Sequence, residues 1–389
     1  MSDSKKIMKV YLDNAATTPL REEVKEYMIE AINGPYGNPS STHQFGRTSK
    51  GILEGARKYI AESLNCSPME IVFTAGGTEA DNTALNCAVR DLGVTRIITS
   101  PLEHHAVLHT AEAVGSCFDV KVELVNLLDK GEIDYNHLES LLKDGEPTLV
   151  TLMHANNEVG NFLDLKRVGD MCKTYSAYFH TDTVQTMGHH VLDLQELNID
   201  FLAASAHKFY GPKGVGFMYV NSGLKQAPFI NGGSQERGKR GGTENLLGIA
   251  GMHKALQLSI ESMEEENNRI VALKEYFIGR LKNEMEGVYF NGLSADLDRS
   301  LCTVLSVSLP SLPSGGMHLF SLDMNGIAAS GGSACSSGSS KGSHVISAID
   351  PENTDPIVRF SIGKNNTQEE LDYVMDVLKE LQAQQAVTL

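Results

Sequence analysis

From residue 71 onward the chain alternates short apolar runs with segments whose apolar positions recur at helical spacing. The runs are Ile71–Phe73, Arg96–Thr99, Val120–Val125, Leu149–Met153, Tyr178–His180, Phe201–Ala204 and Val215–Val220. Between most of them lie amphipathic stretches: Glu79–Leu92, His105–Ala113, Tyr135–Leu142 and Leu165–Tyr175. Apolar runs too short for helices, separated by helices, predict strands buried on both faces. The expected architecture is α/β, a mostly parallel seven-stranded sheet flanked by helices.

Outside that rhythm the pattern changes. Tyr11–Pro19 reads as a short strand entering a polar turn, with Pro19 opening a helix that runs from Arg21 to Asn33. Gly34–Ser40 is a turn-rich loop, and a second helix spans Ser49–Leu64 with Leu53, Ala56, Ile60 and Leu64 on one face. Gly248 to about Glu286 is one long helical stretch bridging to a second domain, whose strands include Val304–Leu309 and Val358–Ile362. Thr367 starts a last helix through about Leu381. A length of 389 residues favours two domains. We expect a large α/β domain over 15–262 and a smaller α+β domain made of 1–14 and 263–389.

Composition narrows the classes. A net charge of −16 argues against a nucleic-acid surface. No run approaches the roughly 18–20 apolar residues of a membrane span, and Met1–Val10 lacks a secretion signal's apolar stretch. The six cysteines (Cys66, Cys87, Cys117, Cys172, Cys302 and Cys335) have no Cys-x-x-Cys spacing. That suits neither a disulfide framework nor a metal site, so a reduced, cytoplasmic protein without a bound metal is expected.

The chemistry collects where the strands end, which is where open α/β sheets bind ligands. Ile71–Phe73 leads into Thr74-Ala-Gly-Gly77-Thr78-Glu, a glycine turn opening a helix and suited to an anion. The following strand ends bring Glu103-His104-His105, then His154-Ala-Asn156-Asn157, then Asp182 with Gln185, and finally Ser205, His207 and Lys208. A lysine held at the mouth of a buried strand has the surroundings of a Schiff-base lysine. Taken singly, Asp182 reads equally well as a helix cap and Ser330–Ser340 as a flexible linker. The ordered set fits pyridoxal 5′-phosphate. Lys208 meets its aldehyde, Asp182 its ring nitrogen, and Gly77, Thr78, Ser205 and His207 its phosphate. His104 meets its ring face, and Asn156 or Gln185 its phenolic oxygen.

The same residues carry a family resemblance. Tyr-Leu-Asp-Asn-Ala-Ala-Thr-Thr-Pro (11–19), Tyr-Gly-Asn-Pro-Ser (36–40), Phe-Thr-Ala-Gly-Gly-Thr-Glu-Ala-Asp-Asn (73–82), Glu-His-His-Ala-Val (103–107) and His-Ala-Asn-Asn-Glu-Val-Gly (154–160) open the series. His-Thr-Asp-Thr-Val-Gln (180–185), Ser-Ala-His-Lys-Phe-Tyr-Gly-Pro-Lys-Gly (205–214), Gln-Glu-Arg-Gly-Lys-Arg-Gly-Gly-Thr-Glu-Asn (235–245), Ser-Gly-Gly-Ser-Ala-Cys-Ser-Ser-Gly (330–338) and Val-Arg-Phe-Ser-Ile-Gly (358–363) complete it. Together they resemble the pyridoxal-phosphate-dependent cysteine desulfurases of aminotransferase class V, the NifS/IscS-like group, nearly end to end. Ala206 and Gly331 stand where that pattern often reads differently, and neither change removes a reacting group.

The resemblance implies a fold-type-I transferase that converts L-cysteine to L-alanine and carries the sulfur away as an enzyme persulfide. It makes Lys208 the cofactor lysine, Asp182 the ring-nitrogen partner, His104 the stacking group and Arg359 the grip on the substrate carboxylate. Asn38 and Asn156 fall in substrate-contacting motifs. Cys335 aligns with the sulfur-accepting cysteine, on a segment expected to be mobile. Thr243 would reach the phosphate held by a neighbouring subunit, implying a homodimer. The sulfur would pass to an acceptor protein, such as an iron–sulfur scaffold or a tRNA-thiolation carrier, with no direct nucleic-acid or membrane partner. Two other readings stay open from sequence: another class-V reaction, such as that of a selenocysteine lyase or aminotransferase, and a non-catalytic cofactor-binding scaffold.

Overall fold

The computed structural model describes residues 7–314, 316–331 and 342–388. The chain opens with strand β1 (Val10–Tyr11) and helices α1 (Glu22–Asn33) and α2 (Gln44–Ser63). It continues through β2 (Ile71–Thr74), α3 (Gly77–Leu92), β3 (Arg96–Thr99), α4 (His105–Phe118), β4 (Lys121–Leu124), α5 (Tyr135–Leu142) and β5 (Thr148–Thr151). Next come α6 (Leu165–Thr174), β6 (Tyr178–Asp182), β7 (Phe201–Ser205) and β8 (Gly216–Val220). These strands form one seven-stranded sheet in the order β2-β8-β7-β6-β5-β3-β4. The pairs from β7 to β4 are parallel, and β8 runs antiparallel to both β7 and β2.

Alternation along the strands divides the core between the two faces. Ile71, Phe73, Phe179, Leu202 and Phe217 pack on one side with residues of α2 and α6. Val72, Ile97, Leu149, Phe201 and Met218 pack on the other with Ala80 and Ala84 of α3 and Val107 of α4. Five of the strands are buried along their whole length, as both-face covering requires. The edge strand β4 is not, and it is shorter than the apolar run predicts because only one neighbour holds it.

The second half contains α7 (Leu246–Glu261), α8 (Met263–Glu284), β9 (Tyr289–Phe290), β10 (Val304–Ser308), α9 (Met317–Met324) and β11 (Ile327–Ala328), followed by α10 (His344–Ile349), β12 (Ile357–Ser361) and α11 (Gln368–Thr388). An antiparallel sheet β12-β10-β9 is joined by the parallel pair β1-β11, which returns the start of the chain to this half. Val10 and Leu12 accordingly share a core with Phe277, Leu305, Val358, Phe360 and Leu378.

Several boundaries differ from expectation, among them the second helix, which starts at Gln44 rather than Ser49, and α4 and α11, which run on to Phe118 and Thr388. The first helix starts at Glu22 because Arg21 is extended (φ −62°, ψ 147°), so Pro19 lies outside it. The long stretch from Gly248 breaks at Ser262, where one helix ends and the next begins. The helix predicted from Glu79 begins at Gly77, two residues earlier and directly against the site. No helix among the described residues is long and apolar enough to cross a membrane.

Candidate active site

A cavity of about 260 Å³ lies at the C-terminal end of the parallel strands, lined by residues from both halves of the chain. Gly77, Thr78, His104, Asp182, Gln185, Ser205, His207, Lys208 and Arg359 all border it. Their positions follow from the elements: Asp182 ends β6, Ser205 ends β7, and Lys208 sits in the single turn of 3-10 helix that follows. His104 caps α4, its Nδ1 accepting the Ala106 N–H at 3.1 Å. That bond leaves the ring proton on Nε2.

One end of the cavity is built for an anion. The first turn of α3 points its N–H groups there, and these have no partners within the helix. Gly76 precedes it at φ +153°, a conformation side chains rarely adopt, and a Cβ on it would stand 3.4 Å from Ser205 Oγ. A Cβ on Gly77 would come within 2.5 Å of Val184 Cγ2. His207 bonds Thr17 Oγ1 through Nδ1 at 3.2 Å, and burial, then the neighbouring Lys208 charge, pushes it down to about 4. It is therefore neutral near pH 7, a hydrogen-bonding rather than a charged partner.

The other end gathers the ionisable groups. Asp182 is 7% exposed, and its Oδ1 accepts the Val184 N–H at 2.8 Å. Burial, and then the nearby Asp81 carboxylate, push it up to about 7. Such a carboxyl gains from a cationic ligand group, which would restore its charge. Lys208 Nζ donates to the carbonyls of Ala15 (2.5 Å) and Ala16 (2.9 Å), and Gln185 Nε2 donates to Ala15 at 3.1 Å. His104 is lowered to about 4, by burial first and then by Lys208, so it too is neutral.

Arg359 of β12 is 1% exposed. Its Nη2 meets Asp13 Oδ1 at 2.8 Å and its Nη1 donates to the Asn157 carbonyl at 3.1 Å. Its Nε is buried with no partner among the described residues. Arg359 also pairs through its backbone with Ser330, the Arg359 N–H donating to the Ser330 carbonyl at 2.6 Å. On the far side of residues 332–341, Ser343 donates to Glu158 and His344 Nε2 lies 3.0 Å from the Glu103 carbonyl.

Two expected residues, Asn156 and Asn38, are not brought to this cavity, and Thr243, expected at a neighbouring subunit's phosphate, does not line it. Asn156 is buried with its amide committed elsewhere. Its Nδ2 donates to the Leu102 carbonyl (2.8 Å) and Met153 Sδ (3.4 Å), and its Oδ1 accepts from Glu158 and Val159. Asn157 borders the cavity in its stead. Asn38 and Thr243 are exposed and do not line it. Cys335 lies outside the described residues.

Sequence reasoning missed Asp81 and Asp13. Asp81 borders the cavity and stands four residues after Gly77, the spacing that puts both on one face of α3. Asp13 sits within the 11–19 motif but carries no sign there that it pairs with an arginine 346 residues away.

Residues 10–374 match the aminotransferase class-V family. A protein named cysteine desulfurase IscS from Dictyoglomus turgidum is 42% identical over 384 residues, covering 96% of this chain and 94% of that protein. A solved structure titled NIFS-like protein superposes with a TM-score of 0.88 at 35% identity, covering 97% of this chain and 100% of that one. Another, titled SspA in complex with cysteine, gives a TM-score of 0.78 at 29% identity over 92% of this chain and 100% of that one.

Proposed function

The chain belongs to the aminotransferase class-V family, and from that premise we infer that it is a pyridoxal-phosphate-dependent cysteine desulfurase. It converts L-cysteine to L-alanine and transfers the sulfur to an enzyme thiol as a persulfide. The observation that carries this reading is the convergence of Lys208, Asp182, His104 and Arg359, from distant parts of the sequence, on one cavity.

The residues present fit the cofactor. The glycine cradle at Gly76 and Gly77 leaves room at a helix N-terminus that side chains would fill, which suits a phosphate. Asp182, buried and raised, suits a protonated ring nitrogen. When bound, pyridoxal phosphate supplies an aldehyde for an amine and a ring that draws electrons from the carbon bearing it. Lys208 would hold the aldehyde, and Ser205 and His207 would complete the phosphate cup. Neutral His104 presents a flat ring above the cavity, and Gln185 is the nearer candidate for the phenolic oxygen.

Arg359 would orient the substrate carboxylate, with Asp13 steadying the guanidinium from behind. The Lys208 amine would take the proton from Cα, and its two carbonyl partners would receive its N–H bonds between steps. The Cys335 thiolate would attack the substrate sulfur. The carbon–sulfur bond breaks as the sulfur–sulfur bond forms, giving one persulfide and one alanine from one thiol and one cysteine. Chain length supports the reach: Ser330 is bonded to Arg359 at the cavity wall, and five residues of chain span at most about 18 Å.

The exposed position of Thr243 leaves it able to reach a neighbouring subunit's phosphate, as a homodimer would require. The two separate apolar cores support the division at about residues 15 and 262. We propose a cytoplasmic enzyme whose acceptor is a thiol- or scaffold-bearing protein.

Incubating the purified protein with L-cysteine and a reductant should release sulfide and alanine in equal amounts. Lys208→Ala should lower the rate by about 10²–10⁴-fold, and Cys335→Ser should abolish persulfide formation. Alanine production undiminished by Cys335→Ser would overturn the transfer step.

A further inference from the structure

One residue that borders the cavity, Asp81, and a histidine packed against it are ionisable groups that the reaction above does not use. Asp81 of α3 and His180 of β6 are 1% and 0% exposed. His180 Nε2 faces Asp81 Oδ1 at 3.4 Å, and neither atom has a hydrogen-bond partner among the described residues. The opposite ring nitrogen, Nδ1, lies 2.7 Å from Thr151 Oγ1. His180 and Asp182 alternate along β6, so both present on the face that α3 covers.

We propose that Asp81 is a positioning residue that carries a proton at neutral pH, bridges to His180 as a neutral pair, and so leaves Asp182 as the anion facing the cofactor's ring nitrogen. Two carboxylates buried side by side cannot both ionise cheaply, and one must keep its proton for the other to hold its charge. Burial pushes Asp81 up to about 8 and His180 down to about 4, the assignment a neutral pair requires. In the tautomer that the proposal requires, Nδ1–H donates to Thr151 Oγ1 and Nε2 is left to accept from the Asp81 carboxyl.

The remaining charged or titratable groups around the pair are Asp182, Glu103, Lys208 and His104. Glu103 is buried and raised well above the ordinary range, by burial first, with Asp182 and Asp81 also contributing and the Met153 N–H opposing. Lys208 faces Asp182 from the cavity side, and His104 is neutral. As pH rises past about 8, Asp81 loses its proton and a second negative charge appears behind Asp182. That charge favours the protonated ring nitrogen, so Asp81 acts as a reserve that holds the cofactor cationic in alkaline solution.

The inference rests on the reading that Asp182 faces the ring nitrogen. The test loads the full chain with ¹⁵N-ring-labelled pyridoxal phosphate and follows the ring-nitrogen chemical shift from neutral to alkaline pH. Asp81→Asn keeps the shape and neutral charge but cannot ionise. The ring nitrogen should be protonated in it at neutral pH, as in the parent, yet lose its proton about one pH unit earlier, a tenfold change in the protonation constant. A titration superimposable on the parent's overturns the proposal, whatever happens to thermal stability. Asp182→Asn separates the two claims. If it leaves the ring nitrogen protonated, the site reading fails, and if it does not while Asp81→Asn matches the parent, only the role of Asp81 fails.

A second measurement needs no variant. With aspartate ¹³C-labelled, the infrared spectrum of the loaded parent should contain a protonated aspartate carboxyl at pH 7 that fades as pH passes about 8. Absence of that band overturns the proposal.

Discussion

Arg359 enters the cavity with its guanidinium already engaged on one side, by Asp13 at 2.8 Å and the Asn157 carbonyl at 3.1 Å. A planar fork can serve these partners and still present an edge to a substrate carboxylate, whereas a lysine is a single point charge. Arg359→Lys should therefore raise KM for L-cysteine about 10- to 100-fold, the loss of a charge-assisted hydrogen bond of about 1.5–3 kcal/mol. The rate at saturation should change much less, because uniform binding is what is lost. Steady-state alanine formation across cysteine concentrations checks this, and an unchanged KM with a fallen kcat would assign the arginine to the transition state. At this scale the sequence was legible wherever a strand end dictated direction. Asp182 and Ser205 end β6 and β7, Lys208 follows β7 within one turn, and all three border the cavity. Asn156 does not, because it sits in a loop whose own backbone needs took all of its amide. Residue type and spacing predict a polar group there but not which of two adjacent asparagines faces inward.

Between β8 and α7 the chain passes through a turn at Gln235–Gly238, in which Glu236 and Arg237 hold left-handed backbone angles of φ 47° and 57°. Two consecutive side-chain-bearing residues in that region are strained, and something must hold them. The holder is a buried pair: Arg57 of α2 grips Glu236 with two bonds of 2.7 Å, and Glu236 also accepts the Phe73 N–H of β2 at 2.8 Å. Glu236→Gln leaves Arg57 with only Glu54 at 3.4 Å and the Ile71 carbonyl as partners among the described residues and should cost about 1–3 kcal/mol, seen as a lower urea midpoint. A midpoint equal to the parent's would mean that the turn is held by its other contacts. The segment leads straight to Thr243, so the same variant should weaken cofactor retention if that residue serves a partner's phosphate. At the site, Gly77→Ala would press a methyl to 2.5 Å from Val184 Cγ2 and into the cradle. It should cost about 1–3 kcal/mol from overpacking and lower cofactor affinity, measured by equilibrium titration of the apoprotein. Element positions were the most legible level, because buried apolar runs leave a parallel sheet few alternatives. The break at Ser262 was not, since helical periodicity continues through it on both sides.

Across the whole molecule, buried ionisable groups pull stability in opposite directions with pH, and removing the cofactor exposes the balance. Burial lowers His104, His180, His190 and His207 to about 4 and His154 to about 3. Below pH 6.5 the unfolded chain binds protons that these folded histidines refuse, so they destabilise the fold as pH falls from 6.5 toward 4. The raised acids act oppositely. Asp182 at about 7 and Asp81 at about 8 keep protons that the unfolded carboxyls have lost, so stability declines as pH rises from about 3.8 through those values. From about pH 7.5 to 8 the histidines are neutral in nearly every unfolded chain as well as folded, and the acids dominate. Apoprotein stability should therefore fall across that window. Above it the buried thiols continue the decline, because Cys66 and Cys87 at about 12 and Cys302 at about 11 keep protons that unfolded thiols lose from about 9, while Lys274, lowered to about 8, opposes them. Loading the cofactor adds a cationic ring nitrogen at Asp182 and removes its share of the decline. The thermal midpoint of apoprotein should drop more steeply from pH 6.5 to 8 than that of loaded protein, and parallel curves would mean that Asp182 gains no cation when the cofactor binds.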